Sequence, residues 1–330
     1  MAGIRALRKI QMGKETTAGS LVDSTTLWRG VGVLEDALEV KQVEEDVGYI
    51  SGLDRQYVPK LLGKLSMENT PATFEQLPYL GEAGIKAVAT GVADGAGGGK
   101  IYAYPMPTTT KNTINTYTLE GGDDQQEEEM EYGFVESFKL SGKAGEAWMM
   151  SGNWAGRQIA LGTFTASLTP PAVEEILFGK SLLYIDATTI GTTVKSSTLL
   201  AADVDVKTGW VAVFSGDGQL YFTFVKVTDP EVTLNITFEH DATGVAEKAA
   251  WRAQTRRLIR LKVTGSAVTS GTAYNAKTLV LDFGGKWQTF DKIGEQNGND
   301  VVQGTLSARP STTDSTFFTM TVVNTLTSLT

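Results

Sequence analysis

Nucleophilic hydrolysis of the Ser-His-Asp or Cys-His type would have to rest on His240, the one histidine of a chain that contains no cysteine. His240 follows a strand-like run in a polar turn with no nucleophile motif beside it, so it reads as an exposed side chain and not as a catalytic base. The stretch Gly95-Ala96-Gly97-Gly98-Gly99-Lys100-Ile101 has the glycine content of a phosphate loop. Asp94 stands where the first required glycine belongs and Ile101 where a Ser or Thr would hold magnesium, so the stretch reads as a flexible loop tip. Glu174 and Glu175 are adjacent on an expected helix and do not face each other, which suits first-turn acids better than a glycosidase pair. No catalytic or metal-binding constellation is expected, and no cofactor.

Two charged segments stand out instead. Asp123, Asp124, Glu127, Glu128, Glu129 and Glu131 crowd into one acidic run without the alternating glycines of a cation loop. The run is either a solvated loop or a surface that repels DNA or meets a basic neighbour. Lys248, Arg252 and Arg256 are spaced by four and share one face of a helix expected at 245–254, continued by Arg257, Arg260 and Lys262. In a repeat described below, this basic segment takes the place of the acidic run, so the two would pair between subunits and set register more than strength.

These residues sit in a chain of 330 residues, 41% hydrophobic and 20% charged, which is the make-up of a folded protein with room for two domains. Thirty-six glycines beside many threonines and valines predict a mainly β fold with tight turns. Net charge is −9, and residues 1–180 carry 24 acids against 16 bases while 181–330 carry 14 against 13. An acidic surface opposes strong nucleic-acid binding, although DNA could pass without being gripped. No apolar run reaches signal-peptide or membrane-spanning length, which predicts a cytoplasmic start and no membrane segment.

Residues 1–29 read as an extended N-terminal arm whose Arg5, Arg8, Lys9 and Lys14 find a partner on another subunit. From Trp28 to Ile50, apolar Val31, Val33, Leu38 and Val40 alternate with acids that include Glu39, Glu44, Glu45 and Asp46, the pattern of a half-buried strand. Residues 51–100 read as a long loop containing one short helix capped by Thr73 and Gln76 and ended by Pro78 or Gly81. A second short helix is expected at 172–178, a hairpin at 210–227, and closing strands at 301–308 and 317–324.

The strand order runs through twice. Thr116–Leu119, Phe134–Leu140, Glu146–Met150 and Gly152–Trp154 are matched in order and spacing by Val232–Phe238, Leu258–Val263, Leu279–Phe283 and Gly285–Trp287. Domains of 30–180 and 181–330 follow from this.

Ile10–Gly19, Thr25–Gly30 and Thr73–Tyr79 carry a further likeness. The chain resembles the tail tube, or major tail, proteins of long-tailed bacteriophages, most like the non-contractile kind, from about residue 4 to the C-terminus. The resemblance implies two tandem β-sandwich tail-tube domains whose sheets join between subunits into a central β-barrel. It implies trimeric, pseudo-hexameric rings stacked into a hollow tube through which genomic DNA is ejected without specific binding. Expected partners are further copies of the chain and other tail proteins such as the tape measure, tail terminator and tail tip. The location implied is the virion tail, and the host cytoplasm during assembly. Glu39, Glu44, Glu45 and Asp46, with Asp123–Glu129, are the candidate lumen or interface acids, since an acidic lumen lets a polyanion slide. The alternative is a carbohydrate-binding or adhesive β-sandwich, which needs exposed tryptophans; Trp148, Trp154 and Trp287 fall in or beside apolar strands, where a core role is expected.

Overall fold

The computed structural model describes residues 3–296 and 298–329. The chain is mainly β with two short α-helices among these residues. In chain order the first stretch forms β1 (Lys9–Lys14), β2 (Thr26–Leu27), β3 (Gly32–Asp36), β4 (Lys41–Gln42), β5 (Gln56–Tyr57), β6 (Gly63–Pro71) and α1 (Leu77–Gly84). Then come β7 (Val92–Ala93), β8 (Lys100–Pro105), β9 (Tyr117–Gly122), β10 (Glu127–Lys143), β11 (Met149–Gly156) and β12 (Ile159–Leu161). The second stretch forms β13 (Ser181–Asp186), β14 (Val194–Lys195), β15 (Leu199–Lys207), β16 (Trp210–Val213), β17 (Phe224–Val227), β18 (Glu231–Glu239) and α2 (Ala242–Arg252). It ends with β19 (Arg257–Ala267), β20 (Ala276–Phe290), β21 (Gly294–Gln296), β22 (Asn299–Ala308) and β23 (Phe318–Asn324).

One antiparallel run crosses the molecule in the order β3-β6-β11-β10-β15-β18-β22-β20. Its strands alternate with period two: Leu65, Met67, Leu140, Val204, Leu234, Ile236 and Leu306 point into the core. The opposite face carries Ser66, Ser151, Lys139, Asp203, Asp205, Thr233, Asn235 and Thr305, none of them buried.

The two longest strands change partners along their length. The first part of β10 pairs with β9 and β12, and through β9 with β1 and β2, before its second part enters the long run. A register shift between Met130 and Gly133, with Tyr132 at φ 57°, makes the bend. The first part of β20 likewise pairs with β19 and β23, extended by β13 and β14 on one side and by β8 and β7 on the other. Among the described residues, tracing the pairings never returns to a starting strand, so the network is branched and open, with no closed barrel.

The order of pairings in 9–161 recurs in 181–324. β1, β2, β3, β6, α1, β9, β10, β11 and β12 correspond in turn to β13, β14, β15, β18, α2, β19, β20, β22 and β23. The β4–β5 and β16–β17 hairpins interrupt the two halves at the same place. β10 is bulged at Glu136 and β20 at Gln288, and each bulge is flanked by the pairing to the next strand. Aligning the bulges places Gly133-Phe134-Val135-Glu136-Ser137-Phe138 on Gly285-Lys286-Trp287-Gln288-Thr289-Phe290. The sequence-based match is therefore out by one strand: it set Phe134–Leu140 against β19 instead of β20. Alternating apolar residues recur in every strand, so spacing alone did not distinguish neighbouring strands. The acidic run consequently corresponds to the β19–β20 turn and the start of β20, and not to the basic segment at 248–262.

One continuous core extends from Ile10 to Leu329 and holds Phe74, Trp148, Trp154, Phe238 and Trp287. Helix α1 is buried along its whole length, and Gly81 admits it, because a Cβ there would come within 2.6 Å of the Tyr104 ring.

Several expectations change. Residues 51–100 are no long loop, since Gly63–Pro71 alternates buried and exposed positions as β6; the one short helix expected there is present as α1 (Leu77–Gly84), starting after Gln76 and running past Pro78 and Gly81. Pro78 lies in the first turn of that helix, where its missing N–H costs nothing. Residues 172–177 are extended and bridge Thr73 to Glu175 and Ala147 to Leu177; the chain here adds backbone bonds to two strand ends, which a helix could not do. Lys9 and Lys14 open and close β1, so that part of the expected arm is tied into a sheet, paired residue by residue with β9. The strand expected over Trp28–Ile50 reduces to β3 and the short β4, and Val31, Val33, Leu38 and Val40 are exposed.

Candidate subunit interface

At the middle of the long run, β10 and β15 meet from Ser137 opposite Lys207 to Lys143 opposite Ala201. Lys139 lies 3.8 Å from both Asp203 and Asp205 across this junction. The carbonyl of Glu136, at the bulge, accepts from the Thr208 backbone N–H at 3.0 Å and the Thr208 hydroxyl at 2.9 Å, and Val135 O accepts from the same hydroxyl at 2.8 Å.

The run ends on the counterparts of these two strands, β3 and the second part of β20. Residues 286–290 of β20 pair with β22 alone, and β3 pairs with β6 alone. An exposed strand edge is a row of unpaired backbone groups. On β20 part of that row is covered by the end of α2: Trp251 Nε1 donates to Gln288 O at 2.9 Å, and Gln254 Nε2 to Trp287 O at 3.5 Å. These two carbonyls are the counterparts of Glu136 O and Val135 O, so side chains take the place that Thr208 fills at the internal junction.

The basic segment is largely engaged inside the chain. Asp241 caps α2 by accepting from Gly244 N. Lys248 reaches Asp291 O at 3.2 Å, Arg256 forks onto Asp314 at 2.6 and 2.8 Å, Arg257 holds the buried Glu247 at 2.9 Å, and Arg260 forks onto Asp282 at 2.6 and 2.8 Å. Arg252 is exposed. The Arg256 guanidinium holds the Asp314 carboxyl below its ordinary range. Three of the five expected surface bases, Arg256, Arg257 and Arg260, are thus held in internal ion pairs, with acids 10 to 58 residues away in sequence.

The acidic run divides. Asp123 and Asp124 form the β9–β10 turn, where Asp124 accepts from Ile4 N at 2.8 Å. Glu127, Glu128 and Glu129 begin β10; Glu127 accepts from Phe164 N at 2.7 Å, and burial, with the nearby Glu120, pushes the Glu129 carboxyl up. Glu39 lies 3.5 Å from Lys41 and 3.2 Å from Lys60 on the excursion between β3 and β6, and the Lys60 ammonium lowers its carboxyl. Glu45 bonds Arg55, while Glu44 and Asp46 are exposed. Of the arm residues, Arg5 and Arg8 are exposed, Lys9 sits 4.0 Å above the Phe164 ring, and Lys14 pairs with the fully buried Glu82 at 2.5 Å. The structure therefore does not gather the candidate residues into one patch. Asp203, Asp205 and Lys139 on the open face of the sheet went unnoticed in the sequence, although their alternation with Ala202, Val204 and Leu140 was readable.

The other sequence candidates are structural. Asp94 is buried and accepts from the backbone N–H groups of Thr272, Ala273 and Tyr274, so the glycine-rich stretch is pinned to the β19–β20 turn and is not a free tip. The His240 backbone N–H donates to Asp300 O, and the ring has no hydrogen-bond partner among the described residues. No cluster that could hold a metal ion occurs among them. Trp28, Trp148, Trp154 and Trp287 are all buried. Comparison with known protein families and with curated proteins finds no match.

Proposed function

We propose that the chain is a tail tube protein of a long-tailed phage, built from two tandem β-sandwich domains, that polymerises as stacked rings into a conduit for DNA. The observation that carries this reading is that the long sheet ends on β3 and β20, the counterparts of the two strands, β15 and β10, that pair at its centre. A second copy offers each edge the kind of partner its counterpart already has. Repeating the junction around a rotation axis closes the sheet and leaves no edge, which is how a barrel escapes aggregation. Three copies of a two-domain chain would give pseudo-sixfold rings.

The open face of the sheet suits a lumen. Ser66, Ser151, Thr233, Asn235 and Thr305 present hydroxyls and amides, and Asp203 and Asp205 flank Lys139. Such a surface offers phosphate no continuous cationic track, so a polyanion slides instead of stalling.

Electron microscopy of the purified protein tests the reading. Rings or hollow rods with threefold or pseudo-sixfold symmetry are expected; a monomer at every concentration overturns it.

A further inference from the structure

Inside the chain, the β16–β17 hairpin lies on the bend of β10. Phe222 is fully buried there, edge-on to Tyr132 at 5.0 Å and Phe134 at 5.9 Å, with Ala155 and Trp210 completing a small separate core. Arg157, just past β11, fastens the hairpin: its Nε donates to Phe222 O and its Nη2 to Thr223 O, both at 3.1 Å, while the guanidinium covers the Tyr132 and Tyr221 rings at 4.8 and 4.9 Å.

The bulge-to-bulge register places Gly284, Lys286, Ser307 and Arg309 where Tyr132, Phe134, Ala155 and Arg157 stand. Phe134 is paired with Ala155 as Lys286 is with Ser307. Among the described residues no hairpin covers this second site. It is a groove of about 540 Å³ lined by Gln254, Lys286, Gln288, Ser307, Arg309 and Pro310. Gly284 has no side chain where Tyr132 has a ring, and its place is taken by Thr316 O and Arg256 Nη2, which a Cβ there would meet at 2.5 Å or less, so the open part of the groove lies over Lys286, Ser307 and Arg309. Meanwhile the counterpart hairpin, in residues 37–62, exposes Tyr49, Ile50, Leu53 and Tyr57, an apolar set that a lone soluble chain has no use for.

We propose that residues 37–62 of a second copy of this chain seat in the groove beside Lys286, Ser307 and Arg309, as β16–β17 seats on β10 within the chain. This rests on the tube reading and specifies the contact between neighbours. Arg309 takes the role of Arg157 and holds carbonyls of the incoming hairpin, whose apolar side chains lie over the Lys286 and Ser307 stretch of the groove. The exposed acids Glu44 and Asp46 then approach a rim that carries Lys286 and Arg309, which favours this occupant over an uncharged one. The same docking brings β3 of the incoming copy, joined directly to the hairpin, to the outer edge of β20, where it would displace Trp251 and Gln254 from the Gln288 and Trp287 carbonyls.

The absence of cysteine makes the test clean. Two singly substituted proteins, Ile50→Cys and Ser307→Cys, are mixed under assembly conditions and treated with a short bis-maleimide, with Ala144→Cys replacing Ser307→Cys as the control. A cross-linked dimer from the first pair alone is expected. Ile50→Asp, at a fully exposed position, should leave the monomer's melting curve unchanged and raise the concentration needed for assembly at least tenfold. Rings that form without the cross-link and tolerate Ile50→Asp overturn this contact and leave the tube reading standing. A chain that stays monomeric and uncross-linked overturns both.

Discussion

Arg157 and Arg309 occupy equivalent places, one residue beyond β11 and one residue beyond its counterpart β22, and only the first has its hairpin. The Arg157 side chain is 15% exposed and bonds three backbone carbonyls, those of Gly19, Phe222 and Thr223. The Arg309 side chain is 54% exposed, with Asp229 at 3.8 Å as its ion-pair partner. Equivalent residues thus stand at a completed junction and at an open one.

Arg157→Ala should destabilise the isolated chain by about 2 to 3 kcal/mol, since hydrogen bonds from a charged group contribute about 1.5 to 3 kcal/mol and the hairpin's packing depends on them. Arg157→Lys should recover little, because an ammonium lacks the planar fork. Arg309→Ala should leave the denaturation midpoint in place and weaken association instead. Urea unfolding of the three variants, beside sedimentation velocity, reads both effects.

Glu82 is a carboxylate with no exposed surface, held by Lys14, Asn115 and the Tyr117 hydroxyl. Lys14→Met leaves that charge buried without its cation and should cost about 3 to 5 kcal/mol. The double variant Lys14→Met, Glu82→Leu should recover much of the loss. A thermal melt in which the double variant is no better than the single would show that the ion pair is not what matters here.

Asp314 supplies a pH dependence. Its carboxyl is lowered from 3.8, first by the hydrogen bond from Arg256, so the pair's stabilisation is complete above that value and is lost as pH falls through the lowered folded value. Wild type and Asp314→Asn should therefore differ most near neutral pH and converge as pH falls below the ordinary aspartate value of 3.8. Denaturant midpoints along that fall in pH check it; a gap that widened on acidification would contradict the sign. Charge reversal at Arg256 would break this internal pair, so Arg252 is the position at which to probe an interface charge.

Trp251 guards an edge. Its indole N–H occupies Gln288 O, the counterpart of the carbonyl that Thr208 takes inside the chain. Trp251→Phe keeps an aromatic ring near Phe290, which the indole now approaches at 6.2 Å, and removes the donor. Assembly should then begin at a lower concentration by light scattering. A higher onset would mean that the indole helps the junction to form.

The sequence by itself determined the β class, the lack of cysteine with a single histidine, and the α1 and α2 helices, and it suggested a recurring strand order that it matched one strand out. Alternation and glycine content act locally, so they can be read without the fold. It also held the Gly133–Phe138 and Gly285–Phe290 correspondence, obscured because every strand alternates in the same way. Only the tertiary structure decided that 63–71 is a sheet strand, that 172–177 is extended, and that Arg256, Arg257 and Arg260 face acids of their own chain. Those outcomes depend on partners tens to hundreds of residues away. Which strand edge stays open is likewise a property of the whole pairing network, and no stretch of sequence carries it.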